Sequence, residues 1–160
     1  MPATRQLLLD RLEELGIDAV TVEHEPVFTV QQSTELRETL PGAHTKTLFL
    51  DDRGGHLVLV SAKDDTKVNL KALSKQLGAG RFRFGRAELL AEVLGVTPGS
   101  VTPLALTNDR ARRVTAVVDA ELLAFDEVNF HPLENTATTR VATRDLMRFI
   151  EACGHQPHIL

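Results

Sequence analysis

The 160-residue chain has no tryptophan, no tyrosine and a single cysteine. Its aromatic side chains are seven phenylalanines. So few rings argue against a single-stranded nucleic-acid platform built from rows of stacked aromatics. One cysteine excludes an internal disulfide and fits a reducing compartment. The sequence holds no run of 18 or more apolar residues, so no membrane-spanning helix is expected. The opening Met-Pro-Ala-Thr-Arg-Gln leads into an amphipathic pattern unlike a secretory signal, which predicts a cytoplasmic protein. Familiar nucleotide and metal signatures are also missing: no Walker A pattern, no G-x-G-x-x-G after a strand, no H-E-x-x-H.

What remains is a globular composition, 42% hydrophobic and 25% charged. The length suits one domain, expected to span residues 1–160. The net charge of −4 disfavours a general DNA-binding protein, and genomic DNA is not an expected partner. The charge is unevenly spread. Residues 1–62 carry five basic and ten acidic side chains. Lys63, Lys67, Lys71, Lys75, Arg81, Arg83 and Arg86 then follow, against only Asp64 and Asp65. Such a patch is either a solvated helix face or a local field for a polyanion.

Hydrophobic periodicity predicts helices over 4–15, 33–40, 69–77, 86–94 and 144–152, the last capped by Thr143. Strands are expected at 19–23, 46–51, 56–62, 81–84, 114–118, 127–130 and 136–141, with Arg53-Gly54-Gly55 turning a hairpin. Asn69 and Gly78 read as the two caps of one helix. Strands and helices mix without βαβ alternation, which predicts an α+β fold with a largely antiparallel sheet. The segment 96–103 reads as a proline-bracketed loop.

Three stretches could carry chemistry. Lys46 sits where a loop enters an apolar strand. It either snorkels to solvent or presents a fixed cation to a ligand carbonyl or phosphate. Gly99, Ser100, Val101 and Thr102 lie between Pro98 and Pro103, and each carries a backbone donor. Such a loop is a rigid connection, an oxyanion hole or a carboxyl nest. His131, Asn135, Thr136 and Thr138 cluster where one strand ends and the next begins, a site of turn chemistry or of function. His131 there can be an acid/base, an orienting donor or a core histidine. Cys153, His155 and His158 are close in sequence but lack a fourth metal ligand, and Cys153 reads as a buried helix cysteine.

Taken in order, Lys46, the G-x-V-x-P loop of Gly99, Val101 and Pro103, and His131-Pro132 followed by Asn135, Thr136 and Thr138 resemble the YbaK/prolyl-tRNA-synthetase-associated domain family. The stretches VEHEPVFTV, PGAHTK, GVTPGSVTP and VNFHPLENTATT are most similar to its free-standing ProX branch. That branch is associated with Asn where this chain has Thr47. The resemblance implies a central mixed, mostly antiparallel, barrel-like sheet with surrounding helices. It implies hydrolysis of mischarged Ala-tRNA(Pro) that spares Pro-tRNA(Pro), with no metal or organic cofactor. It assigns catalysis to Lys46, the Gly99–Val101 amides, Ser100 included, and His131. Asn135, Thr136, Thr138 and Thr47 would contact the substrate. Charge adds Lys63, Lys67, Lys71 and Arg81 as the tRNA grip, with prolyl-tRNA synthetase as a further expected partner. A non-catalytic tRNA or synthetase-binding module of the same fold is the alternative.

Overall fold

The structure, a computed structural model, describes residues 2–26 and 38–160. The first five residues of the helix expected at 33–40 lie outside that range. Helix α1 spans Arg5–Glu14, and the Thr4 side chain accepts from the Leu7 N–H at its start. Strands β1 (Val20–Glu23), β2 (Ala43–Asp51) and β3 (Leu57–Lys63) follow, then α2 (Leu70–Leu77), β4 (Arg83–Phe84) and α3 (Ala87–Leu94). Short 3-10 turns at Pro98–Ser100 and Pro103–Asn108 lead to β5 (Val114–Val118). A third, at Ala120–Ala124, precedes β6 (Glu127–Phe130), β7 (Ala137–Ala142), α4 (Thr143–Ala152) and β8 (His158–Ile159).

The eight strands form one sheet in the order β1-β7-β6-β2-β3-β5-β8, with β4 beside β2. Four of the seven pairings are antiparallel; β2–β6, β3–β5 and β5–β8 are parallel. β1 and β8 end the path without pairing to each other, so the sheet does not close into a barrel. Side chains alternate across a strand, and this sorts the core into two layers. Ala43 and Phe49 of β2 join the larger cluster with α1, α3 and α4, while Leu48 and Leu50 join the smaller one under α2.

Several expected boundaries moved for identifiable reasons. β2 starts three residues before Lys46, because Ala43 and His44 pair with Val128 and Asn129 of β6. The Thr45 hydroxyl extends that join by donating to the Asn129 carbonyl, 2.6 Å away. Thr143 does not cap α4; it is the first helical residue, and its hydroxyl donates to the Phe125 carbonyl. Asn69 and Gly78 cap α2 as expected: the Asn69 side chain accepts from the Ala72 N–H at 3.0 Å, and Gly78 adopts φ +64°. β8 is too short to show a period.

The β2–β3 hairpin and the loop after α2 are tied together by one carboxylate. Asp52 Oδ1 accepts from Gly54 N–H (2.8 Å) and His56 N–H (3.0 Å). Its Oδ2 accepts from Gly80 N–H (2.9 Å) and His56 Nδ1–H (2.6 Å). These donors, Gly80 foremost, hold the Asp52 carboxyl well below its usual range. A depressed carboxyl stabilises the fold above its unfolded pKa, and that contribution is lost as pH falls through the carboxylate range. Asp52→Asn keeps one acceptor and turns an NH2 toward Gly80 N–H. It is expected to lower Tm by several degrees at neutral pH, with the gap to wild type closing below about pH 4. Thermal melts of both proteins across pH test this.

Candidate functional site

The parallel join of β2 to β6 decides where Lys46 lies. The last ladder pair is His44↔Asn129. Two residues further along each chain, beyond that last pair, come Lys46 and His131, which alternation puts on the same face. β6 runs antiparallel to β7 with Phe130 opposite Thr139, which places Thr138 beside His131. β7 in turn sets Thr138 opposite Val22 of β1. Lys46, His131 and Thr138 therefore share one sheet face, with Lys46 and His131 each two residues past the last β2–β6 pair. His24, just past β1, completes the row. Its Nε2 lies 2.8 Å from Thr138 Oγ1.

The hydrogen bonds assign both histidine tautomers. A carbonyl can only accept, so His24 Nδ1 donates to the Glu25 carbonyl (2.8 Å) and His131 Nδ1 donates to the Ala137 carbonyl (3.1 Å). In its neutral form His24 then accepts the Thr138 hydroxyl proton at Nε2. His131 keeps an unprotonated Nε2, for which no hydrogen-bond partner is present among the described residues. Burial pushes the His131 pKa down; the Ala137 carbonyl offsets part of this, and nearby His24 adds to it. A half-buried, neutral imidazole with a free lone pair can accept a proton from water or from a hydroxyl.

Second-layer contacts fix the row. The buried Asn129 carboxamide donates to the Pro41 carbonyl (2.8 Å) and the Ala43 carbonyl (3.1 Å). Gly42, at φ +90°, lies so close that an added Cβ would meet Asn129 Nδ2 at 3.2 Å and the Glu127 carbonyl at 3.1 Å. On the far side, Arg5 of α1 pairs with Glu23 at the end of β1 and with Glu134 (3.3 Å) in the turn after His131. Asn135 of that turn reaches the loop after α3, where a Cβ on Gly99 would lie 3.4 Å from Asn135 Nδ2.

The structure thus brings Lys46, His131, Thr138, Asn135 and Gly99 to one end of the sheet. Thr136 is exposed, and its carbonyl accepts from the His24 N–H at 2.9 Å. Other expected residues are placed differently. Thr47 follows Lys46 directly and, by alternation, shares the opposite face with Thr45 and Phe49. The Ser100 N–H is consumed in its own 3-10 turn, donating to Thr97 O at 2.9 Å, and the residue is buried. The Val101 N–H has no acceptor among the described residues and remains as a donor. Lys63 is on the face opposite Lys46, bonded to Asp65 at 2.7 Å with its ammonium over the Phe125 ring. That bond holds Asp65 below the usual carboxylate range, with a smaller effect from Lys46. Lys67, Lys71 and Arg81 are exposed and make no ion pair among the described residues.

Residues singled out near the C-terminus lead elsewhere. His155 Nε2 bonds buried Asp109 Oδ2 at 2.9 Å, tying the end of α4 to the start of β5. Burial pushes the Cys153 thiol up to about 11, the reverse of an activated nucleophile. Among the described residues no group of three or more His, Cys, Asp or Glu side chains is placed to hold a metal. Sequence reasoning missed His24 and Asn129. His24 stood in a quoted stretch, but only register shows it beside Thr138.

Residues 24–149 match the family model described as an aminoacyl-tRNA editing domain, so the matched segment begins at His24 and contains the whole row. The chain belongs to that family. It is 40% identical over 158 residues to "Prolyl-tRNA synthetase associated domain-containing protein 1" of Danio rerio, covering 98% of this chain and 86% of the relative. It is 32% identical over 152 residues to "Prolyl-tRNA editing protein ProX" of Acetoanaerobium sticklandii, covering 94% and 93% of the two chains. A crystal structure of a candidate trans-editing enzyme for prolyl tRNA synthetase shares the fold, with TM-score 0.71 and 20% identity over 100% of this chain and 98% of that one.

The tautomer assignment is directly measurable. Nitrogen-detected NMR of labelled protein is expected to show His131 as the Nδ1–H form, titrating below the ordinary histidine value. An Nε2–H signal for His131 at neutral pH would contradict the assignment.

Proposed function

We propose that this chain is a trans-acting deacylase that hydrolyses the ester of mischarged Ala-tRNA(Pro) and spares Pro-tRNA(Pro). The observation that carries the reading is the row itself: a cation, a neutral imidazole and a hydroxyl on one sheet face. An aminoacyl ester is already activated, so a placed water and electrostatic help suffice without a protein nucleophile.

In this reading Lys46 draws the ester carbonyl oxygen or the terminal phosphate to the row. His131 Nε2 accepts a proton as water oxygen bonds to the carbonyl carbon. The Val101 N–H, with that of Gly99, faces the developing oxyanion. The bond to the ribose 3′ oxygen then breaks, and that oxygen takes the proton back from His131. The products are a free amino acid and a tRNA with its terminal hydroxyl restored. Asn135 and Thr138 hold the ribose and the aminoacyl end. Lys67, Lys71 and Arg81 grip the acceptor stem, whereas Lys63 is engaged with Asp65. The biological need is physical: a prolyl site cannot strongly reject smaller alanine, because lost apolar contacts are worth about 1–3 kcal/mol. A second pocket too small for proline supplies the missing discrimination, and makes prolyl-tRNA synthetase the natural functional partner.

Purified protein should release alanine from Ala-tRNA(Pro) and leave Pro-tRNA(Pro) intact. Lys46→Ala should slow release by about 100-fold or more, the scale of losing one transition-state contact. Reversing Lys67, Lys71 and Arg81 to Glu should weaken tRNA binding and flatten its salt dependence while leaving single-turnover chemistry at saturation unchanged. Faster hydrolysis of the cysteinyl or seryl ester would change the substrate. Tight tRNA binding with no hydrolysis of any ester would turn the reading to a binding module.

A further inference from the structure

The one strongly exposed aromatic ring among the described residues sits on the same sheet face as Lys46. Phe84 is 66% exposed, whereas Phe49, Phe82, Phe130 and Phe149 are all buried. β4 pairs with β2 so that Phe84 lies directly opposite Leu50. Directly opposed residues share a face, and Leu50 shares its own with Leu48 and Lys46. Phe84 is therefore four residues along β2 from Lys46, about 13 Å at roughly 3.3 Å per residue.

Among the described residues, the edge of β2 between the two carries no strand. β3 takes one edge of β2 throughout; β6 and β4 take the other edge, at Ala43–His44 and at Leu50–Asp51. Among the described residues no strand lies beside Lys46, Thr47 and Leu48 on that edge. Phe84 is also rigidly presented. Gly85 N–H donates to the Phe49 carbonyl at 2.8 Å, and a Cβ on Gly85 would run into the Phe49 ring, so only glycine permits this closeness. Arg81 and Arg86 lie three residues before and two after Phe84 in sequence, exposed and without an ion pair among the described residues, while Arg83 is held by Asp51 at 3.2 Å. An exposed ring with guanidinium groups close in sequence, unpaired among the described residues, has the make-up of a base-stacking platform whose cations meet neighbouring phosphates. An apolar peptide would leave both arginines unanswered.

We propose that Phe84 stacks an unpaired base of the tRNA 3′ end, with Arg81 and Arg86 on its phosphates, so that the terminal adenosine reaches Lys46 along the edge of β2. The inference rests on the deacylase reading for the identity of the RNA, but binding tests it without chemistry. The probe is an uncharged acceptor-stem minihelix of tRNA(Pro), with and without its single-stranded 3′ ACCA. Phe84→Ala is expected to weaken binding of the overhang form by about tenfold, the scale of one lost base stack. Binding of the blunt form should be unchanged, and Phe84→Trp should restore the affinity. Because the ring is exposed, both variants should melt with the wild type, which separates lost stacking from lost folding. Equal affinity of wild type and Phe84→Ala for the overhang form would overturn the proposal, as would wild-type binding indifferent to the overhang. Hydrolysis measured in parallel keeps the two readings apart. A Phe84-dependent overhang effect without hydrolysis would sink only the deacylase. Hydrolysis without that effect would sink only the platform.

Discussion

The site depends on one short parallel join, two residues long, between β2 and β6. Lys46 arrives on a strand whose long partner is β3, and His131 leaves a strand whose antiparallel partner is β7. Only the register His44↔Asn129 relates the two. A slip of one residue would send Lys46 to the opposite face, because side chains alternate with period two. Two ladder pairs are little to hold a register, and the molecule reinforces them. Asn129 pins the Pro41 and Ala43 carbonyls with its side chain, and Thr45 returns a hydroxyl to the Asn129 carbonyl. Three side-chain hydrogen bonds do what a longer strand pair would otherwise do.

Polarity around the row follows from which groups are already committed. Each histidine spends its Nδ1–H on a neighbouring carbonyl, and neutral His24 accepts a hydrogen bond from the Thr138 hydroxyl. The face then presents lone pairs, with the ammonium of Lys46 beside them. Such a surface suits a substrate that brings hydroxyls and an ester carbonyl. The acceptors do not need ionisable acids, which fits a chain whose pronounced carboxylates, Asp52 and Asp109, are spent on backbone amides far from the row.

Much of this was legible in the sequence where the signal is local. The hairpin announced itself through Arg53-Gly54-Gly55 between apolar runs, and α2 through Asn69 and Gly78. Lys46, Gly99 and His131 were legible as an ordered set that resembles a known family, and residues 24–149 match that family. What stayed hidden is what register decides. Nothing in the run His44-Thr45-Lys46-Thr47 says that Lys46 and not Thr47 shares a face with His131. Nothing local says that Lys63 will be neutralised by Asp65, or that Ser100 will spend its amide within its own turn. Thr143 misled for a related reason: its hydroxyl had a better partner in the Phe125 carbonyl than the helix end it was expected to cap.

The row also reports on folding. Its members come from positions 24, 46, 131 and 138, so it closes chain separations of about a hundred residues. Contacts of that span form late, after local hairpins and helices have paid their smaller loop-closure entropy. The basic side chains of α2, by contrast, lie within a few residues of one another and exist as soon as that helix does. On the proposed reading, a partly assembled molecule would hold tRNA before it could hydrolyse its ester. Turnover per molecule bound is in this sense a measure of how much of a preparation has completed its sheet.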